Sequence, residues 1–433
     1  MFKYDFIILY EHRARELENA VLLAMMLEEK GYKVAIEYRW SAHILFQKAD
    51  VVITPYLYFN ETVVDFAFQP FCFLKKIINM QYEQVFLKTN EEILGDLPKG
   101  VAKNGVHISW GRNTTERYRK VGIKSDNIFE IGHISIDLNM PKYKNIFLDK
   151  EAVSKQFNIS VEKKWLLFIS SFSCIGLTNS ELRKWEAQTV GTDYFSELSY
   201  KSQPIILDYF EKLVKDYPEL VVIYRPHPHE TTCYRLNDLE KKYNNFKVIT
   251  GYSIRQWILV SDLISTWCST SLGDVFFAQK PCAIIRPISF LEEYDYKMFK
   301  GQNIITNYSD LKEFVNNPGK RYQINAESIN EYYCNDFDAN AFEKLRDVCI
   351  QVKNNKKYEY VFSNDIPVSP LYLVMLYIYK ILLSLAGFFD YSKLVPEKYR
   401  SDVHYSYREM HKYKEEIAFY RKRFSRIFQN EET

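Results

Sequence analysis

The apolar residues of this chain fall into short runs separated by stripes at helical spacing. Asp5 to Tyr10 (DFIILY) reads as a buried strand. Leu17, Val21, Leu22, Met25, Met26 and Leu27 then recur as on one helix over Arg15 to Lys30, and Gly31 stops it. Val34-Ala35-Ile36 and Val51-Val52-Ile53 are the next strands. The opening is therefore β-α-β-α-β, the pattern of a doubly wound parallel sheet with right-handed crossovers. It continues through Val106 to Trp110, a polar helix over Asn113 to Lys120, and Ile128 to Gly132. Leu138 to Glu162 is mostly polar with no strand signal, and the domain junction is expected there.

Trp165 to Ile169, ending in Ser170-Ser171, opens a second α/β unit. An amphipathic helix over Gln203 to Lys215 leads into the strand Leu220 to Ile223. Strands at Phe246 to Ile249, Leu263-Ile264, Cys282 to Arg286 and Ile304-Ile305 alternate with helices at Ile254 to Ser261, Leu272 to Gln279 and Ser309 to Asn316. The expected fold class is α/β, with two Rossmann-like domains, 1–150 and 151–350, facing a cleft, and a helical C-terminal extension, 351–433.

That extension has its own pattern. Leu371 to Phe389 is a 19-residue apolar run with one charge, Lys380, and Pro367 and Pro370 bound its start. A spanning helix needs about 20 apolar residues, so three readings stand: a helix buried against the core, a helix lying in a membrane surface, or a span. Met410, Tyr413, Ile417, Tyr420, Phe424 and Ile427 then form a heptad-like stripe, suited to a membrane surface or to a coiled-coil dimer. Between Tyr391 and Phe428 there are 10 Lys and Arg against 5 Asp and Glu, which favours the membrane surface; 366–428 is the segment expected to meet it.

Composition narrows the classes. The 433 residues are 47% hydrophobic, enough for two cores. A net charge of +2 gives no whole-chain electrostatic case for nucleic acid. Seven scattered cysteines (Cys72, Cys174, Cys233, Cys268, Cys282, Cys334 and Cys349) with no CxxC pair read as reduced thiols of a cytosolic protein. The apolar run in MFKYDFIILYEHRARE is too short for a signal peptide. No HExxH, GxGxxG or Walker loop is present, so no metal site and no bound cofactor are expected. Asp336-Phe337-Asp338 has a DxD form but reads as a solvated loop.

The chemistry concentrates at strand ends. In open α/β sheets, ligands bind at the carboxyl ends of the strands. There, Leu220 to Ile223 runs into Tyr224-Arg225-Pro226-His227-Pro228-His229-Glu230. Arg225, His227 and His229 are placed to hold a phosphate by charge-assisted hydrogen bonds, with the prolines fixing the loop. The alternative is a rigid turn with solvated histidines. Leu263-Ile264 ends in hydroxyls, and Ser269, Thr270 and Ser271 precede a helix start, where they bind phosphate or simply cap. Asp274 caps the same helix or meets a ribose hydroxyl. After the first strand come Glu11, His12, Arg13, Arg15 and Glu16. A transferase needs a general base for its acceptor hydroxyl, and Glu11 or Glu16 is suited to that; the alternative is a solvated helix start. His107 and His133 sit near strand ends, where a lone histidine is more often structural.

These motifs resemble the GT-B glycosyltransferases of bacterial surface polysaccharide assembly, of the "surface carbohydrate biosynthesis" type. More distantly, the chain is similar to capsule and O-antigen Kdo transferases, bacterial sialyltransferases and CDP-glycerol glycerophosphotransferases. The resemblance covers about residues 1–320. It rests on Glu11 to Glu16, Ile131 to Asp137 (IGHISID), Tyr224 to Pro228, and Trp257 to Ala278 with Lys280-Pro281. It implies an inverting, metal-independent enzyme that takes a sugar from a CMP- or CDP-linked donor, a substrate rather than a cofactor. The acceptor implied is a growing glycan, free or lipid-linked, and the place is the inner face of the bacterial inner membrane, peripherally. His227 and Ser269 to Ser271 would bind donor phosphate, and Glu11 or Glu16 would be the base. His12, Arg13 and His133 would lie on the acceptor side. Two departures matter: His133-Ile134 stands where the family commonly has Asn-Pro, and Trp267-Cys268-Ser269-Thr270 where CDP-glycerol polymerases show Asp-Tyr-Ser-Ser. The second favours a sugar donor over CDP-glycerol or CDP-ribitol. A 2-epimerase and an inactive GT-B scaffold are the remaining alternatives.

Overall fold

The computed structural model describes residues 2–67, 76–84, 88–94, 97–178, 182–183, 191–230, 233–359 and 369–429. Cys72 and Pro367 lie outside them. The chain divides into two compact units. The first combines Met1–Gln84 and Asp96–Ile134 with Cys334–Thr433; the second is Ser135–Tyr333 with Val85–Gly95.

The first unit is built on a six-stranded parallel sheet: β1 (Phe2–Tyr10), β2 (Val34–Tyr38), β3 (Gln47–Thr54), β4 (Ile77–Asn79), β5 (Val106–Ser109) and β6 (Ile128–Glu130). The order is β2-β1-β3-β4-β5-β6. Ile8 of β1 faces Ile36 on one side and Ile53 on the other. Phe6 to Tyr10 are all buried, as expected of a central strand covered on both faces. Strand order reverses between β1 and β3, so the loops after these two strands border the binding crevice of such a sheet. β4 was not among the strands read from sequence.

The second sheet comprises β7 (Lys164–Ile169), β8 (Leu220–Arg225), β9 (Phe246–Val248), β10 (Leu263–Thr266), β11 (Cys282–Ile285) and β12 (Ile304–Ile305). Its order, β12-β11-β10-β7-β8-β9, is that of a dinucleotide-binding sheet, with the switch point between β7 and β10. The helix expected over Gln203 to Lys215 runs from Thr192 to Asp216. Pro204 reads in sequence as a helix start but lies within it. The polar stretch read as a connector holds a helix, Lys150–Phe157, capped by Asp149 and ended by Asn158 in the left-handed region (φ 52°). The second unit also holds Glu91, whose carboxylate accepts from Tyr332 (2.7 Å) and Lys297 (2.9 Å).

The division differs from the expected boundaries in two ways. The chain leaves the first unit at Ile134, before the polar stretch, and re-enters it at Cys334, so the tail is part of the first unit. Groups remote in sequence make that return. Cys334 donates its N–H to the Trp110 carbonyl (2.7 Å). Asn335 brackets the His133 backbone, accepting its N–H at 2.9 Å and donating to its carbonyl at 3.1 Å. Lys353 bridges Asp5 and Asp50 (3.1 and 2.8 Å), and Arg421 forks onto Glu28 (2.5 and 2.8 Å). Of the stripe, Met410, Tyr413, Tyr420 and Phe424 are buried on the first unit and Ile417 is half-buried.

No helix among the described residues is long and apolar enough to cross a membrane. The apolar helix is Pro370–Leu385, and one face of it packs on the first unit, with Leu376, Lys380 and Leu383 buried. The six described cysteines are free thiols. Asp336 accepts from the Asp338 N–H and from Asn340, so the DxD stretch closes a local turn. Among the described residues no three His, Cys, Asp or Glu side chains converge as a metal site.

Gly132 shows how tightly the re-entry is built. It adopts φ +96°, and a Cβ there would lie 2.7 Å from the Asn335 amide. Gly132→Ala is therefore expected to destabilise the protein by about 1–3 kcal/mol, read as a lower urea midpoint at unchanged m-value.

Candidate functional site

In the first unit, β1 delivers Glu11 and His12 to the switch point, and a π-turn over Arg13–Leu17 follows before the helix Glu18–Glu29. Glu16 organises this turn. Its side chain is 1% exposed. It accepts the N–H groups of Glu11 (2.7 Å) and His12 (3.2 Å) and both Arg15 donors (3.1 and 2.7 Å). A carboxylate so engaged shapes the loop and has no reach to a substrate. Glu11 differs: its side chain is 20% exposed, with Arg39 at 3.1 Å and His12 at 3.8 Å. Burial pushes its carboxyl up to about 7, against the pull of Arg39 and with a smaller push from Glu16. Arg39 follows β2, and its guanidinium lies over Trp40 (4.4 Å) and Tyr56 (5.3 Å).

The tail contributes to the same loop. Tyr405 hydrogen-bonds the His12 ring, and the Tyr10 hydroxyl donates to the Glu409 carbonyl at 3.0 Å. Arg13, expected beside an acceptor, is a clamp. Its N–H donates to Glu409 (2.5 Å), its Nη1 to the His411 carbonyl (2.6 Å), and its Nε pairs with Glu416 at 3.1 Å. His133 lies edge-on to Trp110 (4.1 Å between ring centroids) with its backbone held by Asn335. His107 is fully buried against Asn79 (3.1 Å), and burial pushes it down to about 4, so it is neutral and structural.

In the second unit, the loop after β8 is shaped by Glu230. This buried carboxylate accepts from Tyr224 (2.6 Å), Gln203 (2.7 Å), Ser170 (2.5 Å) and the His227 N–H (3.0 Å). Burial raises its carboxyl, and the four donors counter this. The His229 N–H donates to His227 Nδ1 at 3.2 Å, so the neutral His227 ring carries its proton on Nε2. His227 is half-buried and His229 exposed. Arg225, expected to hold phosphate, instead straps β8 to the loop after β9. It donates to the carbonyls of Gly251 (2.8 Å) and Tyr252. Burial pushes it down to about 10, so it stays a cation beside the loop.

Ser170 and Ser171 at the end of β7 stand across the switch point from the residues after β10. The Ser171 hydroxyl accepts the Cys268 N–H (3.0 Å), Thr266 that of Ser269 (3.1 Å) and Ser269 that of Ser271 (3.2 Å). The helix Leu272–Phe277 has only six residues, short of the expected Leu272 to Gln279. Its dipole is small, and the N–H groups of Cys268, Ser269 and Ser271 are already capped. What this turn offers a ligand is its half-exposed hydroxyls, Ser269, Thr270 and Ser271. Asp274 accepts from Asn139 at 2.8 Å, and burial raises its carboxyl.

Sequence reasoning missed Glu230, Gln203, Ser170, Arg39, Tyr405 and Glu409. Glu230 closes the quoted motif, and Arg39 and Ser170 follow strands, so the strand-end rule covers all three. Nothing local in sequence marks Gln203 or the tail residues.

No protein-family model matches the chain, and no curated protein matches it. Solved structures do. The wall teichoic acid polymerase TagF aligns at 14% identity over 82% of this chain and 89% of its own, with a TM-score of 0.56. A TagF structure soaked with CDPG aligns at 15% over 81% and 89%, TM-score 0.55. The UDP-GlcNAc 2-epimerase of Neisseria meningitidis, bound to UDP-GlcNAc, aligns at 12% over 81% and 100%, TM-score 0.51.

Two tests follow from the loops. Glu230→Ala strands the Tyr224 hydroxyl and the Gln203 amide, and a loss of about 2–3 kcal/mol in urea unfolding is expected. Glu11 costs stability where it must be charged in the folded state. Its carboxyl is raised above the unfolded value, so its contribution is intact below pH about 4.5 and is lost as pH rises through about 7. Glu11→Gln is therefore expected to melt higher than the native chain at pH 8, by about 1–3 kcal/mol of stability, with the difference closing below pH about 4.5.

The chain thus has the GT-B fold: two parallel six-stranded α/β units and a helical C-terminal region.

Proposed function

We propose that this chain is a glycosyltransferase that moves a sugar from a nucleotide-activated donor to an acceptor hydroxyl, with the donor phosphate held by the second unit and the base supplied by the first. The observation that carries the reading is Glu11: a partly exposed carboxylate at the switch point, raised to about 7, where a general base works best at neutral pH. Its neighbour Glu16 serves by holding the loop.

Glu11 takes the acceptor proton as the acceptor oxygen bonds to the anomeric carbon. The bond from that carbon to the donor phosphate breaks on the opposite side, which inverts the centre. The leaving phosphate gathers negative charge. His227 Nε2–H and the hydroxyls of Ser269, Thr270 and Ser271 donate to it, and the Arg225 charge acts from behind the loop. His12, held by Tyr405, and the half-buried His133 are the first-unit groups read for the acceptor. The donor read from the motifs is CMP- or CDP-linked, and the acceptor is a growing surface glycan.

The likeness to TagF, including the structure soaked with CDPG, favours a second reading: transfer of a polyol phosphate from a CDP-linked donor. The acceptor oxygen then attacks phosphorus and CMP leaves from the same loops. CMP release from CDP-glycerol, absent with CMP-linked sugars, would select it.

Calorimetry with CMP, CDP, UDP and GDP is the first test. Binding of CMP or CDP is expected, weakened about 10- to 100-fold in His227→Ala. Failure of all four to bind, or binding indifferent to His227, would overturn the donor site. Once a donor is found, kcat/KM is expected to fall on the acid side with a midpoint near the Glu11 value of about 7, and Glu11→Gln is expected to lose that limb and about 100-fold or more in kcat while keeping nucleotide affinity.

A further inference from the structure

The helix Pro370–Leu385 is inside out for a helix in water. Its single charge, Lys380, is turned inward and is 1% exposed. Lys380 Nζ donates to the Asp65 carbonyl at 2.5 Å, and Ser384 accepts the Ala42 N–H at 2.6 Å. The Tyr379 hydroxyl donates to Asp402 (2.8 Å) and that of Tyr372 to Asp65 (3.3 Å). These polar groups are thus bound to the first unit. The outward side presents Leu371, Val374, Met375, Ile378, Leu382 and Leu385, all exposed. Leu371, Met375, Ile378, Leu382 and Leu385 follow one another at spacings of 4, 3, 4 and 3, so they form one continuous stripe. Phe388 (78% exposed), Phe389 and Leu394 (83% exposed) extend it past the helix end. An apolar surface this continuous marks an interface.

The rim tells what covers it. Lys393, Lys398 and Arg400 follow the aromatic end, are exposed, and form no ion pair among the described residues. Of the nearby acids, Asp390 and Asp402 are engaged, by His404 (2.7 Å) and by Tyr379, and with the exposed Glu397 counted the stretch from Lys393 to Arg400 keeps a net charge of +2. An apolar stripe without charge, an aromatic edge, and basic residues beside it are the features of a helix lying in a lipid headgroup layer. At 16 residues the helix is too short to cross.

We propose that the outward face of Pro370–Leu385 and the segment through Leu394 lie in the plane of an anionic bilayer surface, with Lys393, Lys398 and Arg400 against the headgroups. Binding to lipid needs no turnover, so this proposal stands or falls apart from the catalytic reading.

The test is flotation of the full chain with vesicles of phosphatidylcholine alone and of equal parts phosphatidylcholine and phosphatidylglycerol, with lipid-free light scattering in parallel. The native chain is expected to float with the anionic vesicles and to release as salt rises. Met375→Glu/Ile378→Glu/Leu382→Glu is expected to abolish flotation with an unchanged melting curve, since these side chains are exposed. Lys393→Ser/Lys398→Ser/Arg400→Ser leaves the helix itself untouched and is expected to weaken binding to anionic vesicles about 100-fold. A native chain that floats with neither vesicle overturns the proposal. So does flotation indifferent to both variants, or a lipid-free dimer that the glutamate variant dissolves while no vesicle is bound, which would assign the face to a second copy.

Discussion

Both sheets present their loops through the same device: a buried carboxylate that gathers the donors of a turn at the end of a strand. Glu16 collects the N–H groups of residues 11 and 12, and Glu230 collects that of residue 227 with three side-chain donors. A carboxylate out of water is costly unless its lone pairs are filled, so each loop is locked into the one shape that fills them. Everything chemically useful is positioned by that lock. Glu11 points outward because its own N–H is tied inward to Glu16, and His227 is oriented because its N–H is tied to Glu230.

The same logic separates charge that works from charge that holds. Arg13, Arg15 and Arg225 looked alike in sequence as cations at strand ends. In the structure their donors go to Glu409, Glu16 and the carbonyls of Gly251 and Tyr252, so Arg13 and Arg225 tie segments together and Arg15 braces its neighbour Glu16. Arg39, which had no motif to announce it, sits 3.1 Å from Glu11 and keeps that carboxyl from rising further.

The fold was largely legible because parallel strands buried on both faces write continuous apolar runs, and each such run within the two sheets became a strand. The strand β4 and the helix Lys150–Phe157 were not read. The site was legible at the strand ends, where the Arg-Pro-His-Pro segment and the hydroxyl run lie, but its division of labour was not. Which of Glu11 and Glu16 is buried depends on a π-turn and on Arg39, neither encoded by spacing. The tail was misplaced for a similar reason: its composition suggested a separate appendage, while Glu409, Tyr405 and Arg421 find partners hundreds of residues earlier.

That return has a consequence for synthesis. Arg13 of the β1 loop leaves the ribosome 396 residues before Glu409, which clamps it. Ser135–Tyr333 carries all six strands of its own sheet and is complete while the first unit still lacks Glu409. The order of birth and the order of completion are therefore reversed. A chain cut after Leu394 would keep every strand of both sheets and lose the clamp, so truncation there acts on the loop that carries Glu11 before it removes any strand.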